Sequence, residues 1–281
     1  MEAILFVGHG SRDPEGNEEI RQYVEGIRDE IEQPIVETCY LEFEEPNISQ
    51  GIDTCIKKGA TRVILIPIIL FPAGHAKIHI PMAIDEAKEK YPNVTFTYGR
   101  PLGIHETIIK ILESRLEESG INLSKTHEDT AVLILGRGSS DQDANSDLYK
   151  MSRLFFEKRH VGLVETAFMG VTDPLLDAGV KRCIHLGAKH VVILPYFLFT
   201  GILIKRLEKR VEEYQKKYPN LSFTLANYFG FHPLLKQVLF DRIEEAVKDD
   251  VKMNCDTCVY RLEASEHIDH HHHHDHDHHH Q

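Results

Sequence analysis

A chain of 281 residues, 42% hydrophobic and 27% charged, has room for two ordinary domains and the composition of a water-soluble globular protein. Its formal net charge of −12 argues against nucleic acid as a partner, because that binding depends on neutralising phosphates with Lys and Arg. The longest apolar run, Val63–Ala73, falls short of the roughly 20 residues that a bilayer demands, and MEAILFVGHGSRD at the start lacks the basic n-region of a signal peptide, so the expectation is a cytoplasmic protein without a membrane span.

In chain order, Ala3–Gly8 is a continuous apolar run, as expected of a strand buried on both faces. Ile20, Val24, Ile27 and Ile31 follow at helical spacing. The pattern then predicts a strand over Ile35–Leu41, a helix over Ile48–Ile56 and a strand over Val63–Leu70. A helix over Pro81–Lys90, a strand over Val94–Tyr98 and a helix over Ile104–Leu116 complete the first half. A polar linker, Glu118–Asp129, leads to a second half with strands near 131–136, 163–169, 190–198 and 221–227. Such alternation predicts an α/β protein of two tandem homologous domains, each a small parallel sheet flanked by helices. The expected divisions are 1–118, 130–250 and an unrepeated end at 251–281.

The halves are copies. AILFVGHGSRD at Ala3–Asp13 returns as AVLILGRGSSD at Ala131–Asp141, an offset of 128 residues (131 − 3). VETCYLEFEEP at Val36–Pro46 returns as VETAFMGVTDP at Val164–Pro174, and GATRVILIPIILF at Gly59–Phe71 as GAKHVVILPYFLF at Gly187–Phe199, both at the same offset. Three substitutions between the copies change the chemistry: His9 is answered by Arg137, Glu42 by Gly170 and His75 by Leu203. All three residues stand at or just beyond the C-terminal end of one of the first three strands, the edge where open α/β sheets bind ligands. Two imidazoles and a carboxylate suit a first-row divalent metal, and the same groups accept protons. Any one alone reads as an ordinary turn residue; their joint loss from the second copy marks a single active site in the first half. Residues kept in both copies, Cys55/Cys183 and His105/His232, read as scaffold, as does Cys39 inside a strand, whereas His79, answered by Leu207, leans towards function.

GHGSRDP at Gly8–Pro14, CYLEFEEP at Cys39–Pro46 and FPAGHAKIHIP at Phe71–Pro81 resemble the sirohydrochlorin chelatases of the CbiX and SirB type, over essentially residues 1–250 and in the long, duplicated form. The resemblance implies a class II, ATP-independent chelatase that metallates an eight-carboxylate tetrapyrrole in a cleft between two similar domains. By position, it makes His9 and His75 the ligands of the incoming metal, with Glu42 assisting metal binding or pyrrole deprotonation. Substrate carboxylates are expected to meet Ser11 and Arg12, Arg137 and Ser139 at the equivalent point of the second half, and Lys77; a helix start after Ser11 and Arg12 would favour anions.

Beyond the repeat, Cys255 and Cys258 stand at C-x-x-C spacing in Met253–Cys258, which by itself reads as a redox pair, half a metal site or unligated thiols. The long cobaltochelatases resembled here carry an M-x-C-x-x-C segment linked to an iron–sulfur cluster, which implies a [4Fe–4S] cluster whose other ligands come from a second subunit or non-cysteine donors. The chain is otherwise expected to be a monomer, and a shared cluster would make it a dimer. His267–Gln281 holds ten of the 19 histidines, among them His270, His271, His272, His273, His274, His276, His278, His279 and His280, broken by Asp269, Asp275 and Asp277. That interruption reads as a native metal-buffering tail and not an affinity tag, and no core can form from it. The tail and the cysteine segment resemble the cobalt enzymes, so Co²⁺ for cobalamin biosynthesis is the expected substrate metal, with Fe²⁺ for sirohaem as the alternative. Two other classes fit the sequence less well. A dinucleotide fingerprint fails because Asp13 stands where the third glycine of G-x-G-x-x-G belongs, and a metal-storage protein leaves the one-sided loss of His9, Glu42 and His75 unexplained.

Overall fold

The computed structural model describes residues 1–158 and 160–250. The first half runs β1 (Glu2–Gly8), α1 (Pro14–Ile27), β2 (Ile35–Tyr40), α2 (Ile48–Lys57), β3 (Arg62–Ile68), α3 (Gly74–Lys90), β4 (Thr95–Tyr98) and α4 (Glu106–Glu118). The second runs β5 (His127–Gly136), α5 (Gln142–Phe156), β6 (Val161–Phe168), α6 (Leu176–His185), β7 (His190–Pro195), α7 (Ile202–Lys217), β8 (Ser222–Leu225) and α8 (Pro233–Val247). Two four-stranded parallel sheets result, ordered β2-β1-β3-β4 and β6-β5-β7-β8. Ala3–Val7 and Ala131–Leu135, on the central strands, are fully buried, because helices cover both faces of a parallel sheet. The registers repeat as the sequence does: Ala3 pairs with Ile35 and Val63, Ala131 with Leu163 and Val191.

Three elements depart most from the sequence expectation. Helix α3 begins at Gly74, seven residues before Pro81, which stands inside it. An internal proline removes a hydrogen bond and costs about 3 kcal/mol, but Ala76, Ile80, Ile84 and Ala87 bury one face of α3 in the first half's outer core and carry the helix through. Strand β5 begins at His127, inside the expected linker. Strand β7 ends at Pro195, so Tyr196–Phe199 leave the sheet.

The two halves exchange their last helices. Helix α4 packs on β7, α5 and α8, whereas α8 packs on β3 and β4 of the first sheet. Arg62 of β3 donates to the carbonyls of Ala246 (3.0 Å) and Val247 (2.9 Å) at the end of α8, where a cation meets the negative pole of the helix. In return Arg115 of α4 donates to Phe229 O at 2.6 Å. Arg242 of α8 is buried; it donates to Pro101 O and Leu102 O and is neutralised by Glu245 at 2.8 Å. The retained histidines serve this exchange. His105 Nδ1 accepts the Thr107 N–H and caps α4, and His232 Nδ1 accepts the Leu234 N–H and caps α8. Because Nδ1 of His105 accepts, its Nε2 carries the proton and donates to Asp241 of α8 at 3.1 Å. One large core, including Ile108 and Leu112 of α4 and Leu235 and Leu239 of α8, therefore joins the halves, while each half keeps an outer core of its own. The shared core holds the C-terminal edges of both sheets about a common cleft.

Candidate active site in the cleft between the halves

Beyond β1 and β2 the ladder continues into the loops: Leu41 N–H donates to Gly8 O (3.0 Å) and Glu42 N–H to His9 O (3.1 Å). Gly10, at φ +85°, closes so tightly on this strap that a Cβ there would lie 1.7 Å from Glu42 O. Only glycine fits, and the fit sets the two side chains together, with His9 Nδ1 3.4 Å from Glu42 Oε1 and both half-buried. The second half repeats the strap: Met169 N–H donates to Gly136 O, Gly170 N–H to Arg137 O, and a Cβ on Gly138 (φ +89°) would lie 1.9 Å from Gly170 O. The scaffold is thus duplicated while the His9–Glu42 pair is not, since Arg137 and Gly170 occupy its positions.

Nδ1 of His9 also lies 3.2 Å from Gly10 O, an acceptor, and Arg137 Nη1 stands 3.2 Å from His9 Nε2. A guanidinium only donates, so Nε2 accepts and the hydrogen-bond partners assign the ring proton to Nδ1. A carboxylate behind one imidazole nitrogen, with the other presented outward, is the outer-sphere arrangement that orients metal-binding histidines. His75 is the second residue of α3; its side chain lies outside the described structure. Its neighbours Ala73, Gly74 and Ala76 line the cleft. Among the described residues no group of three or more His, Cys, Asp or Glu side chains stands poised for a metal. His79 is exposed on α3 and is not among the residues lining the cleft.

The cleft has a volume of about 470 Å³ and is bordered by His9 and Glu42 on one side and Arg137 and Ser139 on the other. Its walls are apolar, from Leu70, Phe71, Leu198 and Phe199 among others, with the Phe71 and Tyr196 rings stacked at 5.2 Å and 5°. Tyr196 is buried, its hydroxyl has no hydrogen-bond partner among the described residues, and burial pushes its pKa well above the usual value. This wall lies outside what the sequence pattern predicts. The available signal was the length of Val63–Phe71 and Val191–Phe199: the strands use only part of each apolar run, and the remainder lines a ligand-sized cavity.

The expected carboxylate-binding residues are placed differently from one another. Ser11 Oγ accepts the Asp13 N–H, and Asn17 brackets the Ser11 backbone; Ser139, Asp141 and Asn145 repeat the same turn. These serines therefore build loops, and among the two only Ser139 borders the cleft. The helix starts that were expected to favour substrate anions are already capped by the protein's own carboxylates, with Asp13 accepting the Glu15 N–H and Asp141 the Asp143 N–H. Arg12 lies outside the cleft lining, its guanidinium 4.7 Å from the centre of the Phe43 ring. Lys77 is paired with Asp141 (2.7 Å) and Asp143 (3.0 Å) of the other half, and Lys205 with Asp13 and Glu15 (both 2.8 Å). These two reciprocal bridges strap the halves together, so Lys77 meets protein carboxylates in this structure. Of the candidates, Arg137 and Ser139 border the cleft.

Cys39, Cys55 and Cys183 are fully buried free thiols, and burial pushes the pKa of Cys39 up and those of Cys55 and Cys183 to about 12. They read as core side chains, and thiols so disfavoured as thiolates are poor ligands for a cluster. Cys255, Cys258 and the histidine tail lie outside the described residues. No described helix is long and apolar enough to cross a membrane.

Comparison with known proteins bears directly on this site. The CbiX family profile matches the chain twice, over residues 3–119 and 131–246. The chain belongs to the CbiX family. A sirohydrochlorin cobaltochelatase of Priestia megaterium is 64% identical over 272 residues, covering 96% of this chain and 88% of that protein. A sirohydrochlorin ferrochelatase of the same organism is 38% identical over 87% of this chain and 90% of its own length. Among solved structures, SirB from Bacillus subtilis with Fe³⁺ superposes with a TM-score of 0.76 at 34% identity, covering 87% of this chain and 95% of that one. The two sheets flanked by helices are thus the class II chelatase fold in its two-repeat CbiX form, and the cleft with its one-sided His9–Glu42 pair sits where the two CbiX repeats meet.

Proposed function

We propose that the protein inserts Co²⁺ into sirohydrochlorin, without a nucleotide, in the cleft between its two halves. The observation that carries this reading is the His9–Glu42 pair, 3.4 Å apart on a duplicated strap whose second copy holds no such pair, facing an apolar cavity of about 470 Å³. The 64% identity to a cobaltochelatase supports cobalt as the substrate metal. Metal insertion replaces two pyrrole protons with one M²⁺, so the site must present a metal donor and a proton acceptor to the same ring. His9 Nε2, with its lone pair directed outward, is the donor. Glu42 steadies the opposite ring nitrogen and receives one pyrrole proton, and the second passes to solvent. His75, at the start of α3, supplies a second imidazole. Two imidazoles with an open coordination sphere release a metal to the macrocycle more readily than a closed thiolate cage would. The apolar walls fit the faces of the ring, while Arg137 and Ser139 meet its carboxylates.

Anaerobic incubation with sirohydrochlorin and Co²⁺ tests the reading, because insertion changes the visible spectrum. His9→Ala and His75→Ala are expected to abolish insertion with the fold retained, and normal rates in either variant overturn the assignment. The 38% identity to a ferrochelatase favours Fe²⁺ as the second reading, and parallel assays with the two metals decide between them. We assign the C-x-x-C of Cys255 and Cys258 to an iron–sulfur cluster: anaerobically purified protein should be brown and the Cys255→Ser, Cys258→Ser double variant colourless. The histidine tail is assigned to metal buffering, so its removal should leave turnover intact at saturating metal. One chain supplies both faces of the cleft, which supports a monomer, and buried free thiols are compatible with the cytoplasm.

A further inference from the structure

Arg137 holds the position in the second repeat that His9 holds in the first, and the helix exchange turns the two strand ends towards each other across the cleft. Their side chains meet, Nη1 to Nε2 at 3.2 Å. Nδ1 faces Gly10 O and Glu42, so Nε2 is the nitrogen that the guanidinium meets. Arg137 therefore donates into the lone pair that the metal needs. A single lone pair cannot serve both, and a guanidinium repels a divalent cation bound at the same atom.

We propose that Arg137 gates the site: it caps His9 Nε2 while the site is free of metal, is displaced when a divalent cation binds there, and then pairs with a carboxylate of the tetrapyrrole. The proposal rests on the functional reading above for the identity of the polyanionic ligand. Linkage follows from a shared side chain. A carboxylate that draws Arg137 away uncovers Nε2 and raises metal affinity; by reciprocity, bound metal raises affinity for the polyanion by the same factor. No acid–base change is required, only the transfer of one set of hydrogen bonds from an imidazole to a carboxylate, the planar guanidinium's preferred bidentate partner. The duplication accounts for the geometry, because the pseudo-equivalent of the metal donor is the residue placed to compete for it.

The test compares wild type with Arg137→Ala and Arg137→Lys, all as full-length chains. Arg137 is exposed, so its removal should leave the melting temperature close to wild type. Affinity for Co²⁺ alone, by chelator competition, is expected to rise about fivefold or more in Arg137→Ala, the lower end of ordinary coupling between two sites. Affinity for a preformed zinc complex of an octacarboxylate porphyrin, which accepts no further metal, should rise in wild type when Co²⁺ is added. In Arg137→Ala it should be weaker and indifferent to Co²⁺, with Arg137→Lys between the two. Unchanged or weaker Co²⁺ binding by Arg137→Ala, or undiminished coupling, overturns the gate. The metal-only measurement stands even if wild type inserts no cobalt, and it separates failure of the gate from failure of the functional reading.

Discussion

Gly10→Ala strikes the strap that brings His9 to Glu42. A Cβ at Gly10 would lie 1.7 Å from Glu42 O, and real contacts essentially never fall below 3.0 Å, so the loops must part by about 1.3 Å (3.0 − 1.7). Left-handed backbone at φ +85° costs alanine about 1–2 kcal/mol. Parting the loops also weakens the bonds from Leu41 N–H to Gly8 O and from Glu42 N–H to His9 O, each contributing about 1 kcal/mol. The expected loss is about 2–4 kcal/mol of stability, read by thermal unfolding. Displacement of a reacting group by about 1 Å costs on the order of 100-fold in rate, so insertion should fall at least that far and Co²⁺ affinity with it. Gly138→Ala is the matched control: its Cβ would lie 1.9 Å from Gly170 O at φ +89°, so the strain is alike, but no donor pair depends on it. Similar losses of stability with weakened Co²⁺ binding in Gly10→Ala alone are the expected pattern. If Gly10→Ala binds Co²⁺ as tightly as wild type, the strap does not assemble the site and the reasoning fails.

Val171, at the mouth of the cleft, is 73% exposed and adopts φ +69°, a genuine outlier for a β-branched residue. Val171→Gly should stabilise the protein by about 1 kcal/mol, a rise of roughly 2–4 °C in melting temperature; a fall would show the strain to be absent. Phe43→Gly, at the equivalent position with φ 63°, should gain less, because it forfeits the contact with the Arg12 guanidinium. Burial holds His105, His190 and His232 below the ordinary 6.5. As pH falls from 6.5 through those depressed values the unfolded chain takes up protons first, so stability is full above 6.5 and declines below it. His105→Asn, which keeps a helix-capping oxygen, should flatten part of that decline, and an unchanged slope would exclude His105 as a contributor. The Lys205 and Lys77 ammonium groups hold Asp13 and Asp141 below the ordinary 3.8. Their contribution is present above 3.8 and lost as pH drops through the depressed values, so a Lys77→Met, Lys205→Met double variant should lose less stability than wild type in that acid range, measured by denaturant titration.

Much of this protein is legible along one dimension. Strand and helix identity follow from local periodicity, and Ala3–Val7 reads as a doubly covered strand without reference to anything distant. Comparing the copies separates His9 and Glu42 from His105 and Cys55, because a residue kept in both halves serves what both halves share. The sequence pattern starts α3 at Pro81, whereas burial of Ile80 and Ile84 carries the helix back through that proline to Gly74. Pairing between the halves is of another kind. Both α4 and α8 carry an apolar stripe, which by itself names no sheet, and the shared core shows each packed on the other half's. That exchange turns Lys77 towards Asp141 and Arg137 towards His9. Such contacts join residues more than sixty positions apart, and no local pattern encodes them, because a charged side chain's partner is set by distance in space after the cores have packed.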